Sequence, residues 1–297
     1  MQNPSTKAWL LLITLSLIWG SSFILIKRGL VGLSAQEVGA LRIASASVFL
    51  FPVAIQRLKR VIKKHWIPLI SIGFLGSLIP SFLFAFAQTQ MDSSVTGVIN
   101  ALTPLFTVLI GWIIYKQKQR GVILGGVFLG FNGCAFLSMA GANGSLQFNA
   151  YALLVVLATV CYGLNINIIK YHLDDLKALT VTAVSLAMAG PIAISYLGFE
   201  TDYFSSLLTD KSVQIASVYV AILGILGTAI ALIIFNKLVQ ITSPVFASSV
   251  TYLIPIVAVI WGIIDNENLY LWHYIGMGLI LFGVYITNRT RLQNNGN

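Results

Sequence analysis

The sequence predicts an all-α integral membrane protein: ten transmembrane helices arranged as two inverted five-helix repeats, with both termini cytoplasmic. Three observations lead there. Apolar residues make up 57% of the 297-residue chain and charged residues only 9%, against roughly 25% charged in a soluble domain. Ten apolar segments are long enough to cross a bilayer, and the second half of the chain repeats the first. A chain of this size has too little interior to hide so much hydrocarbon and too few charges to cover its surface. Lipid must be its solvent, which excludes the soluble-enzyme folds.

A transmembrane helix needs about 20 mostly apolar residues. The qualifying segments are Ala8–Lys27, Glu37–Gln56, Trp66–Gln90, Ser93–Ile114, Gln119–Ala140, Asn149–Lys170, Ala178–Phe199, Val213–Gln240, Ser243–Ile264 and Tyr270–Thr287. The third and eighth are long enough to tilt or to carry interfacial ends. Strands of a membrane barrel would instead show short alternating segments. The connections are short, so no soluble domain is inserted, and residues 200–212 form the longer loop of the second half. Lys7, an apolar run and Gly20-Ser21-Ser22 have the outline of a signal peptide. The same segment recurs in mid-chain, so it is read as a retained helix.

Charge placement sets the orientation. With the N-terminus inside, inner segments hold Lys7, Arg57, Lys59, Arg60, Lys63, Lys64, Lys116, Lys118, Arg120, Lys170, Lys177, Lys237, Arg289 and Arg291, fourteen of the 18 basic residues. Outer segments hold Lys27, Arg28 and Lys211, together with seven of the nine acidic residues. This satisfies the positive-inside rule. The net charge of +9 is therefore topogenic, and no nucleic-acid partner is expected. Trp66, Trp112, Trp261 and Trp272 lie near span ends and read as interfacial belt residues. Cys134 and Cys161 sit inside apolar stretches and imply no disulfide framework.

Residues 73–114 align without a gap on residues 224–265, an offset of 151, with ten of the 42 pairs identical. The register of Gly73/Gly224, Gly76/Gly227, Pro104/Pro255 and Gly111/Gly262 weighs more than the count. Span five repeats in span ten at an offset of 150, pairing Gly126/Gly276 and Gly133/Gly283. Span one repeats in span six at 143, where Ile18-Trp19-Gly20 matches Cys161-Tyr162-Gly163. The two units are residues 1–140 and 149–290. Each holds an odd number of spans, so the second enters the membrane from the opposite side. Inverted repeats recur in secondary transporters, where two like bundles exchange roles between outward-open and inward-open states.

Small and polar residues fall on helical stripes: Gly97, Asn100, Pro104, Thr107 and Gly111 in span four, and Ser248, Thr251, Pro255, Ala258 and Gly262 in span nine. Small residues at this spacing either serve close helix packing or line a substrate cavity, with packing the safer reading. Asn100, Asn165 and Asn167 need partners that lipid cannot provide, and either line a cavity or clamp two helices. Trp19 and Tyr162 occupy paired positions near the bilayer centre, where Tyr252 also falls. Arg42 is the basic residue well within a span, five residues past Glu37, or roughly 7–8 Å below its outer end. Its guanidinium suits a substrate carboxylate in a bidentate fork, or else snorkels or clamps near the interface.

The spans carry no interior Asp or Glu apart from Glu37 at an edge. His65, His172 and His273 lie in or beside loops, and Asp174-Asp175 reads as a solvated inner loop. No catalytic set, metal-ligand pair or phosphate-cradling loop is present, so neither an enzyme nor a cofactor is expected.

Trp19-Gly20-Ser21-Ser22-Phe23, Ala40-Leu41-Arg42, the stretch from Asn100 to Pro104, Tyr252-Leu253-Ile254-Pro255 and the segment from Gly276 to Gly283 resemble the EamA-type family of the drug/metabolite transporter superfamily. The resemblance covers essentially the whole chain. It implies a basket-shaped bundle with a cavity lined by spans one, three, four, six, eight and nine, with spans five and ten peripheral. It also implies export of amino acids and related metabolites across a bacterial cytoplasmic membrane. Carried over, Trp19, Asn100, Thr103, Tyr162 and Tyr252 become cavity residues, with Arg42 a further candidate. Tyr162-Gly163-Leu164-Asn165 departs from the Trp-Gly-Ser-Ser of span one, so the site is not expected to be symmetric.

The expected substrate-binding set is thus Trp19, Arg42, Asn100, Thr103, Tyr162, Asn165, Asn167, Thr251 and Tyr252. The expected function is secondary export of small amphipathic metabolites, with membrane lipid and a small-molecule substrate as partners and homo-oligomerisation left open. The alternatives are an importer or broad drug exporter of the same fold and, further off, an intramembrane enzyme acting on lipids.

Overall fold

The computed structural model describes residues 6–117, 121–139, 149–241 and 250–294, and the regular structure among them is helical throughout. Helix α1 (Thr6–Gly29) leads into α2 (Ala35–Gly73), which opens on a capping box. Ser34 Oγ accepts the Glu37 N–H at 3.2 Å and Glu37 Oε2 accepts the Ser34 N–H at 2.8 Å, satisfying two donors that a helix start leaves orphaned. The expected connection between spans two and three is absent, because α2 continues through residues 57–64. Its Lys and Arg residues are good helix formers, and no Gly or Asn offers a stop. The chain bends at His65 (φ −122°, ψ 16°), three residues before Pro68, whose ring displaces the Lys64 carbonyl. The two membrane-length stretches are Ala35–Lys59 and Val61–Ala87.

Three spans are interrupted near their middles. A π-helical segment, Phe74–Leu78, precedes α3 (Ile79–Ala87), and Ile79 N–H reaches five residues back to Phe74 O. Pro80 supplies the reason: it has no N–H for the Gly76 carbonyl, so the α register cannot continue. A 3₁₀ turn, Asn100–Leu102, separates α4 (Ser93–Ile99) from α5 (Thr103–Ile113). Pro104 has the same relation to Asn100, whose carbonyl accepts instead from Thr103 Oγ1 at 2.9 Å. A second π segment, Leu223–Ile230, joins α10 (Lys211–Ile222) to α11 (Ala231–Ile241) without a proline.

The remaining helices are α6 (Gly121–Met139), α7 (Ala152–His172), α8 (Ala178–Phe199), α9 (Tyr203–Thr209), α12 (Val250–Ile264) and α13 (Leu271–Asn294). Helix α9 occupies much of the expected loop at 200–212. Its buried Tyr203 donates to Ser217 Oγ at 3.1 Å, which pins it to α10. Seven helical runs among the described residues are apolar and long enough to cross a membrane. Only 39–67% of each apolar window is buried in the protein, and the rest of that surface has lipid as its matching solvent. Trp66, Trp112 and Trp261 are exposed near span ends, and Trp261 Nε1 donates across to Ser21 Oγ of α1 at 2.7 Å.

Glycines set the closest helix approaches, and these come in matching sets. A β-carbon at Gly73 would lie 2.6 Å from Ser185 O, and one at Gly224 would lie 2.5 Å from Arg42 O. Ser185 and Arg42 stand 143 residues apart, the offset relating span one to span six. Between α6 and α13, a β-carbon at Gly133 would meet Gly276 O at 2.8 Å, and one at Gly283 would meet Gly126 O at 2.5 Å. Gly20 sits against Val257 of α12 as Gly163 sits against Phe106 and Thr107 of α5. Backbone contact of this kind leaves no room for a side chain, which is why the stripes are glycine.

Candidate functional site: a mid-bundle junction between two rims

The two π segments meet the bundle interior at paired glycines. Gly227 O accepts from Trp19 Nε1 at 3.1 Å, and a β-carbon on Gly227 would lie 2.9 Å from Ser22 Oγ. A β-carbon on Gly76 would lie 2.5 Å from Asn165 Oδ1. Ser22 and Asn165 are themselves 143 residues apart. Next to Gly227, Thr228 Oγ1 accepts from Arg42 Nε at 2.9 Å, and the Arg42 guanidinium also lies within interaction range of the Tyr162 phenol. Tyr162 stacks on Phe84 (centroids 6.0 Å, 26°), Phe84 meets Phe23 edge-on at 5.7 Å, and Trp19 leans on Phe235 at 5.4 Å. Phe23 and Phe84 are buried, whereas Trp19, Arg42, Tyr162, Asn165 and Phe235 keep partial exposure. The arrangement is an aromatic wall carrying one fork-shaped cation.

The expected site residues thus divide. Trp19, Arg42, Tyr162 and Asn165 gather at this junction. Asn100 is half-buried at the 3₁₀ turn, and Thr103 directs its hydroxyl to the Asn100 carbonyl. Asn167 is 2% exposed and gives its amide hydrogens to Thr107 O (3.0 Å) and Gly163 O (2.9 Å). Of its two expected roles it therefore takes the clamp, holding α7 to α5. Thr251 is half-buried on α12. The Tyr252 side chain and Ser248 lie outside the described residues.

Both ends of the bundle carry polar rims that sequence reasoning did not single out. At the Lys27 end, Glu267 in the α12–α13 connection has a side chain only 1% exposed. Its Oε1 accepts from Ser93 N (2.9 Å) and Ser93 Oγ (2.6 Å), and its Oε2 accepts from Ser94 N (3.0 Å) and Ser94 Oγ (2.5 Å). It caps α4 from a distance, where Asp92 makes no side-chain cap of its own, and a carboxylate there also meets the positive helix end. Lys27 bridges Glu267 (2.9 Å) and Asp265 (2.6 Å), and Arg28 pairs with Asp265. Burial opposes ionisation of Glu267. The donors from Ser93, Ser94 and Lys27 outweigh it and hold the carboxyl down to about 2. Burial, then the Glu267 charge, pushes Asp92 above its ordinary range, against Lys27 and His273.

At the opposite end, Tyr115 stacks on Tyr171 (4.1 Å, 8°), and Gln117 Nε2 donates to the Tyr171 hydroxyl. Asp175, expected as solvated, receives Lys64 (2.7 Å) and His65 (3.1 Å), and the Lys64 bond chiefly lowers its pKa. Arg57 donates to Thr180 Oγ1 at 2.7 Å. A crevice of about 350 Å³ lined by Trp112, Ile113, Lys116 and Gln117 lies at this rim, away from the junction. Among the described residues no group of three His, Cys, Asp or Glu comes together to hold a metal.

The model of the EamA-like transporter family matches residues 6–139 and again residues 149–289. The chain belongs to the EamA-like transporter family. Similar full-length proteins include a transporter of Archaeoglobus fulgidus, 26% identical over 96% of this chain and all of that one. The Escherichia coli inner membrane transporter YedA is 24% identical over 93% of this chain and 88% of its own. A Streptantibioticus cattleyicolor protein, 24% identical over 97% of this chain and 95% of its own, bears the name "Probable terminal-alkyne amino-acid exporter". A crystal structure at 18% identity superposes with a TM-score of 0.62 over 97% of this chain and 98% of that one, which shows a shared fold. This family member is a multi-pass membrane protein of transporter type, and its relatives are named as transporters rather than enzymes.

Proposed function

We propose that this EamA-like protein is a secondary exporter of amino acids or related amphipathic metabolites, working by alternating access in a bacterial cytoplasmic membrane. Ten spans form two inverted five-helix units, residues 1–140 and 149–290, with both termini cytoplasmic. The Glu267 rim then faces outward, and the rim of Tyr171 and Asp175 faces the cytoplasm.

One observation carries the reading. Two spans unwind into π segments at positions paired by the 151-residue offset, and each turns its glycine toward the residue that the 143-residue offset pairs with the other. Interrupted helices meeting in mid-bundle are where transporters place substrate, since irregular backbone at that depth is tolerated where it lines a cavity. The reciprocal glycine contacts support two like bundles that exchange roles. The amino-acid direction is supported by the Streptantibioticus relative's name and by an aromatic wall beside a guanidinium.

Purified protein in proteoliposomes should show saturable counterflow of one or a few members of a panel of amino acids and cationic drugs. Trp19→Ala should abolish that flux. Flux of the drugs alone would favour broad drug export, and no flux of any panel member would overturn the proposal.

A further inference from the structure

We infer that Arg42 is a carboxylate subsite: its guanidinium, tethered at Nε by Thr228, offers its remaining fork to a substrate carboxylate while the aromatic wall takes an apolar body. The inference rests on the transport reading above and narrows it to anionic or zwitterionic carboxylates with an apolar part, excluding amines that lack the acid group.

Four observations support the assignment. Helix α2 starts at Ala35, so Arg42 lies about 10 Å inside the outer helix end at 1.5 Å per residue. A snorkelling arginine would turn back to the interface. Arg42 instead turns inward, to Thr228 on the π segment and toward Tyr162. Second, its cation has no counter-ion among the described residues: all nine Asp and Glu side chains lie there, and none of them pairs with Arg42. An unpaired guanidinium within a bundle is costly to maintain, and an arriving anion removes that cost. Third, the fork has donors to spare. The Nε bond uses one of five N–H groups, and the planar guanidinium matches a carboxylate with two parallel bonds. Fourth, the position is one-sided. Ser185 stands where Arg42 stands in the matching approach to the paired glycine, so the cation is not a requirement of packing at that crossing.

The surroundings define the rest of the ligand. Tyr162 lies beside the guanidinium, and Trp19, bonded to Gly227 next to Thr228, leans on Phe235; all three rings keep partial exposure, while Phe23 and Phe84 are buried. These faces accept an aliphatic or aromatic body. No carboxylate pairs with this cation to welcome a second positive charge, so a lone amine is repelled.

The test uses the full-length protein in proteoliposomes and four probes of similar size: phenylalanine, 3-phenylpropionate, phenylalaninamide and phenethylamine. Each competes with counterflow of the best panel substrate. Phenylalanine and 3-phenylpropionate should compete at least ~10-fold better than the amide and the amine, the scale of one charge-assisted pair. Arg42→Gln should erase that preference, and Arg42→Lys should recover part of it as a point charge without the fork. Thr228→Val, which leaves the cation but cuts its tether, should weaken carboxylate competition severalfold and serves if the arginine variants fail to fold. Equal competition by acid and amide, no competition by any probe, or a preference that survives Arg42→Gln overturns the assignment while measurable flux keeps the transport reading. Absence of flux for every panel member overturns both.

Discussion

The two rims of the bundle share a backbone and differ in charge. Helices α5 and α12 end in related turns of unequal length: Lys116 (φ 55°) and Asn266 (φ 58°) take the left-handed conformation, and the next residue folds back over a glycine six residues earlier in the first and five in the second. Gln117 N reaches Gly111 O at 3.0 Å, and Glu267 N reaches Gly262 O at 2.9 Å. A left-handed turn of this kind closes a helix by satisfying its last carbonyls. Beyond that turn the rims part. Glu267 gathers Lys27, Ser93 and Ser94, from α1 and the start of α4. Gln117 donates to the Tyr171 hydroxyl. Repeated glycines give matching close approaches in the two halves, while single side chains set the charge pairing at each end, Glu267 with Lys27 at one and Asp175 with Lys64 and His65 at the other. In the proposed orientation the carboxylate latches the outer side.

The comparison breaks most sharply at Glu267→Gln, which gives the outer rim the inner rim's side chain. It removes charge-assisted bonds at a buried site, a loss of about 2 kcal/mol, and should abolish or strongly reduce export, measured as counterflow together with a lowered melting midpoint.

Next in size is Gly76→Ala against Gly227→Ala. A β-carbon at Gly76 meets Asn165 Oδ1 at 2.5 Å, whereas one at Gly227 meets Ser22 Oγ at 2.9 Å. Overpacking costs about 1–3 kcal/mol, with Gly76→Ala expected to lower the melting midpoint more.

The pH response sharpens the same contrast. Glu267 is held at about 2 against an ordinary 4.5, so its contribution is complete above the ordinary value and is lost as pH falls toward 2. Asp92 has the opposite sign. Its carboxyl is raised, so its ionised form opposes the rim at neutral pH, and that opposition fades as pH falls through the raised value. Asp92→Asn should therefore raise the melting midpoint slightly at neutral pH and flatten its change under mild acid.

The smallest effect is expected for Gln117→Glu. In the 151-residue alignment Pro244 and Val245 stand where Ser93 and Ser94 stand, so the sequence pairing supplies no second pair of hydroxyls for a carboxylate. Flux and midpoint should stay close to those of the parent protein.

Much of this was legible from composition and spacing. Hydrocarbon content announced the membrane, and the glycine register announced the close approaches later found at Gly73, Gly224, Gly133 and Gly283. Pro80 and Pro104 coincide with two of the three interruptions, but Pro52 and Pro191 lie inside helices without one, and the segment at Leu223–Ile230 carries no proline and left only its pairing with residues 73–79 as a trace. The continuous helix through residues 57–64 was missed because basic residues at a span end read as a loop, although they are strong helix formers. Arg42 was recognisable as a cation in a span, but its direction depends on Thr228, 186 residues away. Glu267 had no local signal at all. It forms no motif with its neighbours, and its partners Ser93 and Ser94 lie 174 and 173 residues off. Spacing within a helix can be read along the chain, whereas a latch between chain-distant ends cannot.

The measurement that tests the account most directly is side-selective labelling of one cysteine at the junction, Asn165→Cys, in a protein carrying Cys134→Ala and Cys161→Ala. A membrane-impermeant maleimide should reach it in inside-out vesicles but only weakly in intact cells, and adding Glu267→Gln should raise labelling from the outside severalfold. Equal labelling from both sides, or outside labelling unmoved by Glu267→Gln, would contradict a junction reached alternately through a carboxylate-latched outer rim.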